Sequence, residues 1–202
     1  MCIRDRMDSV FAIKYNGGAI LASETTVNRS IFKLKKKSDK TLRLDSHSIM
    51  ALAGDIADRD HFGSYIERNV EFFKFKSNGQ KSSVRRSAQF VRTELAKALR
   101  KGMKQVSPLI VGYDDRKQAQ VYWMDYLGTI ADVDYGVHGY AAYFLSSVLA
   151  SGWKSGMTQE EGLQLARNCI QALKARLILD LEGFDIWIVD EKGVTKLDHW
   201  SG

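Results

Sequence analysis

The strands that this sequence predicts occur in consecutive groups, and this grouping constrains the fold more than any other feature. Residues 9–15 (SVFAIKY) and 18–24 (GAILASE) are strongly apolar and are joined by an Asn-Gly-Gly turn, which is typical of a β-hairpin. Residues 40–45 alternate at period two, and residues 48–54 (SIMALAG) indicate a fully buried partner strand. Later strands are predicted at 107–114, at 119–126 after a polar turn at 115–118, at 128–139 as a third strand, and in a closing hairpin over 184–197 around DEKG.

Helical segments also occur in pairs, between the groups of strands. Apolar residues at helical spacing predict helices over 55–76, 83–101, 140–151 and 158–179. Thr158 and Glu161 have the spacing of a capping box at the start of the last helix. Two antiparallel sheets between two helical layers satisfy this order, because each sheet then buries both of its faces. We therefore predict an α+β fold, a four-layer αββα sandwich; a parallel βαβ sheet fits less well because strands and helices do not alternate singly.

The chain shows no internal boundary, so we predict one domain over residues 1–202. Residues 1–7 are expected to be a leader that is non-native or disordered, because they are charged and no apolar signal segment follows. No run of about 18 apolar residues predicts a membrane span. Cys2 and Cys169 lie at opposite ends of the chain, which argues against a disulfide and favours a reducing compartment.

The net charge of +6 raises the possibility of a nucleic-acid-binding protein. Much of the excess is local, in FKLKKK at residues 32–37 and in the pair Arg85 and Arg86. Neither cluster has the aromatic pattern of an RNA-binding sheet. A solvated loop or a contact with an acidic partner is the preferred interpretation, and nucleic acid is kept as an alternative.

Motifs for metal, phosphate or serine-hydrolase chemistry are missing from the sequence. The four histidines are scattered, without a pair at i, i+4 or a neighbouring cysteine, at positions 47, 61, 138 and 199. Neither a phosphate loop nor a G-x-S-x-G motif occurs. Asp114, Asp115 and Asp125 follow predicted strands, where a structural role in turns is favoured over acid–base chemistry. We predict no metal and no cofactor.

Several stretches together resemble the β subunits of the proteasome, from about Asp8 to Leu197. They are LAGDIADRDHFGSYIERNV at 52–70, LIVGYDD at 109–115, VYWMDYLGTIADVDYGVHGYAAYFLSSVL at 121–149 and FDIWIVDEKGV at 184–194. YWMDYLGT followed by HGY is most similar to the kind in the fourth ring position, beta type-2. The resemblance implies the N-terminal nucleophile hydrolase type of αββα sandwich. In active members a terminal threonine attacks the peptide bond, and its own α-amino group, which titrates near pH 8, serves as the base.

Carried over residue by residue, the resemblance leaves the catalytic machinery incomplete. Asp8 stands where the threonine would be, and it follows Met7 instead of glycine. Glu24 replaces the supporting aspartate and is one methylene longer, whereas Lys40 falls on the family's lysine. Without a nucleophile, Lys40 has nothing to activate. The resemblance therefore implies a subunit with no catalytic residue of its own.

Two further family positions are also changed, and no nearby hydroxyl replaces the nucleophile. His138 aligns with the family's serine, and Leu177 with its acidic residue near the end of the last long helix. Ser9 would have to be released by cleavage after Asp8, for which the sequence has no signal. Thr25 and Thr26 follow Glu24, at what the sequence indicates is the wrong strand end.

The resemblance predicts a non-catalytic structural β subunit of the 20S proteasome core particle, acting in ubiquitin-dependent and -independent protein degradation. Its expected partners are other α and β subunits in a hetero-oligomeric ring, with assembly chaperones as further candidates and no nucleic acid or membrane. The expected location is the cytoplasm and nucleus. Tyr140 and its helix, residues 69–76 (NVEFFKFK) and Trp200 are candidate contacts. An active N-terminal threonine or serine peptidase and a basic nucleic-acid-binding protein remain as alternatives.

Overall fold

The computed structural model describes residues 8–29, 32–79, 82–177, 181–197 and 199–200, and their strands form two five-stranded antiparallel sheets and a separate hairpin. The strands of the first sheet are β1 Ser9–Tyr15, β2 Gly18–Glu24, β10 Tyr135–Gly139, β11 Phe184–Asp190 and β12 Gly193–Lys196. They lie in the order β10-β1-β2-β11-β12. The strands of the second sheet are β5 Thr41–Asp45, β6 Ser48–Gly54, β7 Val106–Asp114, β8 Gln118–Met124 and β9 Ile130–Asp132. They lie in the order β5-β6-β7-β8-β9.

In the described part of the chain, four helices cover the outer faces of the two sheets. They are α1 Ile56–Lys76, α2 Val84–Ala98, α3 Ala141–Gly152 and α4 Gln159–Arg176. The predicted capping box opens α4, because Thr158 Oγ1 accepts from the Glu161 amide while Glu161 Oε2 accepts from the Thr158 amide. The chain has no helix in its described part that is both long and apolar enough to cross a membrane.

Three apolar clusters between the layers define the predicted αββα order. Between the sheets lie small and β-branched side chains, among them Ala12, Ala51, Val111 and Val121. Phe11, Ile20, Leu145, Ile170 and Phe184 pack the first sheet against α3 and α4, and Met50, Ile66, Val91, Leu95 and Ile110 pack the second against α1 and α2. The side chains of β1, β2 and β6 are almost wholly buried because both faces of their sheets are covered.

The expected third strand at 128–139 is wrong, because the chain changes sheets in the middle of that segment. Residues of β9 pair with β8 in the second sheet, whereas β10 pairs with β1 in the first. The change occurs between Val133, whose amide donates to Val121, and Asp134, whose carbonyl accepts from the Lys14 amide. Apolar and polar residues alternate across this step, and Ile130, Val133 and Tyr135 each pack partly buried against the core, so the sequence does not reveal the change of sheet.

The expectation of a solvated loop at FKLKKK is also corrected. Phe32–Lys35 forms β4, which pairs with β3 Val27–Arg29 as a separate two-stranded hairpin. The ammonium groups of Lys33 and Lys36 lie 2.8 and 3.4 Å from the Glu182 carboxylate, so this chain supplies part of the acidic contact itself.

Some predicted segments are shorter in the structure, and others lie partly or wholly outside the described residues. Helix α2 ends at Ala98 instead of Lys101, and α4 is described to Arg176, with the predicted extension over 178–179 outside the described residues. The predicted leader at 1–7 also lies outside them. Cys169 is a buried free thiol of α4, and Cys2 is not among the described residues.

Candidate functional site

The head of β1 is the place where the sheet topology gathers the predicted site residues. Because β1 and β2 are antiparallel, the first residues of β1 lie beside the last residues of β2. Gly54, at the end of β6, and the first turn of α1 close the same space, and Lys40 enters it from the residue before β5. The site is therefore assembled from four separate segments of the chain.

Asp8 occupies the centre of this site and binds two cations at once. Its Oδ1 lies 2.6 Å from Lys40 Nζ, and its Oδ2 lies 2.9 Å from an Arg59 guanidinium nitrogen. The Gly54 amide also donates to Oδ2 at 3.4 Å. All three ionic side chains are buried. We call this group, Asp8 with Lys40 and Arg59, the Asp8 clamp.

Lys40 is held more tightly than a strand-edge lysine would be. Its ammonium donates to the Thr26 carbonyl at 2.6 Å in addition to its contact with Asp8. Its side chain has no solvent-exposed area, so loss of either partner would leave a charge with reduced compensation in a medium of low polarity. The structure thus places Lys40 where the resemblance predicts it, against a carboxylate instead of a hydroxyl.

Glu24 lies beside the clamp and accepts from the Ser9 backbone amide at 3.2 Å. Burial raises the pKa of Glu24 to about 7; Lys40 opposes this shift and Asp8 adds to it. Burial dominates because a carboxylate with little access to water is disfavoured in its charged form. Glu24 therefore carries a proton over much of the weakly acidic range, unlike a freely hydrated glutamate.

We expect Glu24→Gln to change the pH dependence of stability at this site. The folded chain holds the Glu24 proton more tightly than the unfolded chain, so this group's contribution is complete below about pH 4.5 and is lost as the pH rises through about 7. Urea unfolding at pH 5 and pH 8 measures it. The native chain should lose at least about 1.4 kcal/mol relative to Glu24→Gln over this interval, and parallel pH profiles would contradict the assignment.

His138 lies next to this end of β1 but does not join the clamp. Its backbone pairs with Val10, and its ring stacks on Trp123 with centroids 5.0 Å apart. Its Nε2 lies 3.1 Å from the Pro108 carbonyl oxygen. Burial lowers the pKa of His138 to about 4, so the ring is neutral near pH 7. A neutral imidazole bonded to a backbone carbonyl packs the space between the sheets.

The other positions considered from the sequence have structural contacts of their own. Leu177 is the C-cap of α4 and packs against the core between α4 and the first sheet. Ser9 has its backbone nitrogen in the peptide bond with Asp8, where it donates to Glu24. Thr25 Oγ1 donates to the Gly183 carbonyl. Thr25 and Thr26 follow the end of β2 that adjoins the head of β1, so the prediction of a wrong strand end is wrong, although neither residue has a free amine there.

Arg59 is the site residue that our sequence reasoning missed. It precedes Phe62 by three residues and Ile66 by seven, so it falls on the apolar stripe of α1. A cation on a buried stripe predicts a buried carboxylate partner, because an unpaired charge there is costly. Its second contact is with Asp60, whose Oδ1 lies 3.3 Å from Arg59 Nε. Arg59 therefore joins the buried clamp to the surface.

The clamp leaves Asp8 poorly suited to chemistry. A carboxylate whose oxygens are bound by a lysine, an arginine and a backbone amide is a poor nucleophile, because its lone pairs are already engaged in these contacts. A cavity of about 320 Å³ adjoins the clamp and is lined in part by Lys40, Leu52, Arg59 and Gly63. This cavity borders the two cations of the clamp, and Asp8 is not among the residues that line it.

Acidic residues elsewhere on the strands have turn contacts, as predicted for them. Asp114 accepts from the amides of Arg116 and Lys117, and Asp125 accepts from those of Leu127 and Thr129. Asp115 is exposed within the first of these turns. These carboxylates stabilise hairpin geometry.

Comparison with known proteins gives a consistent result along the chain. The sequence model of the family described as Proteasome subunit matches residues 7–189. The chain is 40% identical over 187 residues to Proteasome subunit beta type-2-A of Arabidopsis thaliana, covering 93% of this chain and 91% of that protein. It is 38% identical over 197 residues to Proteasome subunit beta type-4 of Saccharomyces cerevisiae, covering 96% and 99%. It is also 32% identical over 194 residues to Proteasome subunit beta type-2 of Dictyostelium discoideum, covering 95% and 97%.

Proposed function

This chain belongs to the proteasome β subunit family, and we propose that it is a non-catalytic β subunit of the 20S core particle. In that role it contributes to the ring around a proteolytic chamber and cuts no peptide bond itself. Its relatives named beta type-2 and beta type-4 match over nearly their whole length, which supports a subunit of the same kind.

The observation that carries this proposal is the Asp8 clamp. In the geometry of the fold, Asp8 fills the head of β1, where an active member presents a hydroxyl and a free amine. Both of its carboxylate oxygens are bound by buried cations, at 2.6 and 2.9 Å. Loss of a nucleophile costs many orders of magnitude in rate, at about 1.4 kcal/mol of barrier for each factor of ten. Peptide hydrolysis by this chain should therefore be negligible.

Exposed aromatic side chains on the helices are consistent with assembly into a ring. A closed ring of unlike subunits requires two different flanking interfaces, so such a chain exposes apolar side chains at several places. Exposed aromatic residues occur on two of its helices, with Phe72, Phe73 and Phe75 on α1 and Tyr143 on α3. We propose other proteasome subunits as its partners, assembly chaperones as transient partners, and the cytoplasm and nucleus as its location.

A labelling and co-purification experiment tests this function. Native extract is treated with a tagged electrophile that reacts with N-terminal threonines, and the 20S particle is isolated by size and analysed by mass spectrometry. We expect this chain to co-purify with the particle and to remain unlabelled, because Asp8 offers no free hydroxy-amine. Labelled catalytic subunits of the same particle are the internal positive control.

Two results would contradict the proposed function. A labelled form of this chain that begins at Ser9, or at another serine or threonine, would show an active peptidase. A chain that migrates alone, while other subunits are recovered in the particle, would exclude the ring-building role.

A further inference from the structure

A concave surface lies between the last turns of α1 and the first two turns of α2, at the opposite end of α1 from Arg59 of the Asp8 clamp. It encloses about 400 Å³, within the range of protein sites for small ligands or bulky side chains. Its described lining consists of Val70, Phe73, Lys74, Lys76, Ser77, Ser82, Arg86, Ser87 and Phe90. We call it the α1–α2 groove.

The floor of the groove is apolar and ordered by an aromatic pair. The rings of Phe73 and Phe90 meet edge to face with their centroids 5.3 Å apart. Phe90 and the neighbouring Val70 pack in the core beneath the second sheet, whereas Phe73 is 50% exposed. An aromatic side chain held in place while half in water can gain contact area from a partner with little loss of rotamer freedom.

The rim of the groove is positively charged. Lys74, Lys76 and Arg86 belong to its lining, and the lining contains no carboxylate among the residues described. Lys74 lies 3.4 Å from Asp45 and is partly compensated. Lys76 stands over the Phe72 ring at 4.6 Å, and within the described ranges neither Lys76 nor Arg86 forms an ion pair. Two cations thus remain available to a ligand at the edge of an apolar floor.

From this combination we propose that the α1–α2 groove binds an acidic segment of a partner protein that inserts a bulky apolar side chain between carboxylates. The apolar side chain packs on Phe73 and Phe90, and the flanking carboxylates approach Lys76 and Arg86. Arg–carboxylate contacts and buried aromatic anchors are common sources of specificity in such recognition. This inference goes beyond ring membership, which names neither the surface nor the chemistry of the partner segment.

The shape of the groove favours a protein segment over nucleic acid. Single-stranded nucleic acids bind to aromatic rings that present open faces for successive bases. Here the Phe73 and Phe90 rings are nearly perpendicular, at 84°, and they form the floor of a recess between two helices. A protruding side chain fits this arrangement better than a stack of bases does.

Peptide binding by the purified full chain tests the proposal. The probe is a fluorescein-labelled peptide in which Leu-Phe is flanked on each side by Asp-Glu, followed by fluorescence anisotropy. One control peptide replaces Leu-Phe with Ser-Ser, and another replaces every acidic residue with Lys. We expect the first peptide to bind with a Kd at least about tenfold lower than that of either control peptide, and its binding to weaken at high salt.

Matched substitutions locate the binding surface. Arg86→Glu and Phe73→Ser should each raise the Kd of the acidic peptide at least about tenfold. The controls are Arg85→Glu and Phe75→Ser, which change exposed residues of the same helices outside the groove lining. These controls should leave the Kd within about twofold.

Three results would overturn the proposal. The first is equal binding of the Ser-Ser peptide, which would reduce the effect to general electrostatic attraction. The second is an equal loss of affinity in Arg85→Glu and Arg86→Glu. The third is binding of a single-stranded RNA that Arg86→Glu weakens and that displaces the peptide. The peptide comparison uses the unmodified chain and does not depend on particle assembly, so its failure is distinct from failure of the proposed function.

Discussion

Asp8→Asn is expected to lower the free energy of unfolding by about 3–5 kcal/mol, the range measured when one partner of a buried ion pair is removed. The asparagine side chain has one acceptor oxygen and an NH2 group with two donors, so it can accept from Lys40 or from Arg59 but directs its N–H groups toward the other cation. Both cations are almost fully buried, and water cannot readily replace the lost charge. For a chain of this size, the melting temperature should fall on the order of 10 °C. Urea unfolding measures the change in free energy, and thermal denaturation measures the change in melting temperature.

Asp60→Asn is the matched control for this substitution. Asp60 also contacts Arg59, at 3.3 Å, but 69% of its side chain is exposed, so its removal should cost less than about 1 kcal/mol. Adding Lys40→Met to Asp8→Asn should recover part of the loss, because one uncompensated charge is then absent. Equal destabilisation by Asp8→Asn and Asp60→Asn would contradict a buried clamp.

Acidification from pH 6.5 to pH 4 is expected to destabilise the fold through His138 by about 3 kcal/mol. The unfolded chain takes up the His138 proton near pH 6.5, whereas in the folded chain burial lowers the pKa of this ring to about 4. Unfolding therefore binds a proton within this window and becomes more favourable as the pH falls. Above about pH 6.5 the ring is neutral in both states, and its effect on the pH profile vanishes.

Unfolding of His138→Gln across the same window measures this contribution. Glutamine can still donate to the Pro108 carbonyl but does not titrate, so the variant should gain stability relative to the native chain as the pH falls from 6.5 to 4. His61→Gln, at an exposed position of α1, should keep the native slope. Because Glu24 acts with the opposite sign over nearly the same range, the His138 contribution is read from the difference between the native and His138→Gln profiles. Identical slopes for His138→Gln and the native chain would refute the assignment.

Hairpins and helices of this fold were predictable because their signals are local. The Asn-Gly-Gly turn, the change from period two to helical spacing after Gly54, and the capping box at Thr158 each require only neighbouring residues. The hairpin formed by β3 and β4 was missed because its strands are short and the run of lysines favours a solvated loop, although FKLK alternates at period two. The sheet change at Val133 was missed because which sheet a strand joins depends on residues far along the chain.

The site was predictable as a set of positions but not as an arrangement. The resemblance identified Asp8, Glu24 and Lys40, and the structure brings all three to the head of β1. Arg59 required knowledge of which face of α1 is buried and what lies opposite it. The raised pKa of Glu24 and the lowered pKa of His138 both arise from burial, which follows from the packing of whole layers and has no local signature.

The sheet change at Val133 and Asp134 also has a mechanical consequence. Val133 is hydrogen-bonded to the second sheet and Asp134 to the first, so a single peptide bond connects the two sheets at this edge. If one sheet shifted against the other by one residue, about 3.3 Å along a strand, these two hydrogen bonds could not both be kept. Sliding of one sheet over the other is therefore opposed at this edge by a covalent connection as well as by the packing of side chains between the sheets.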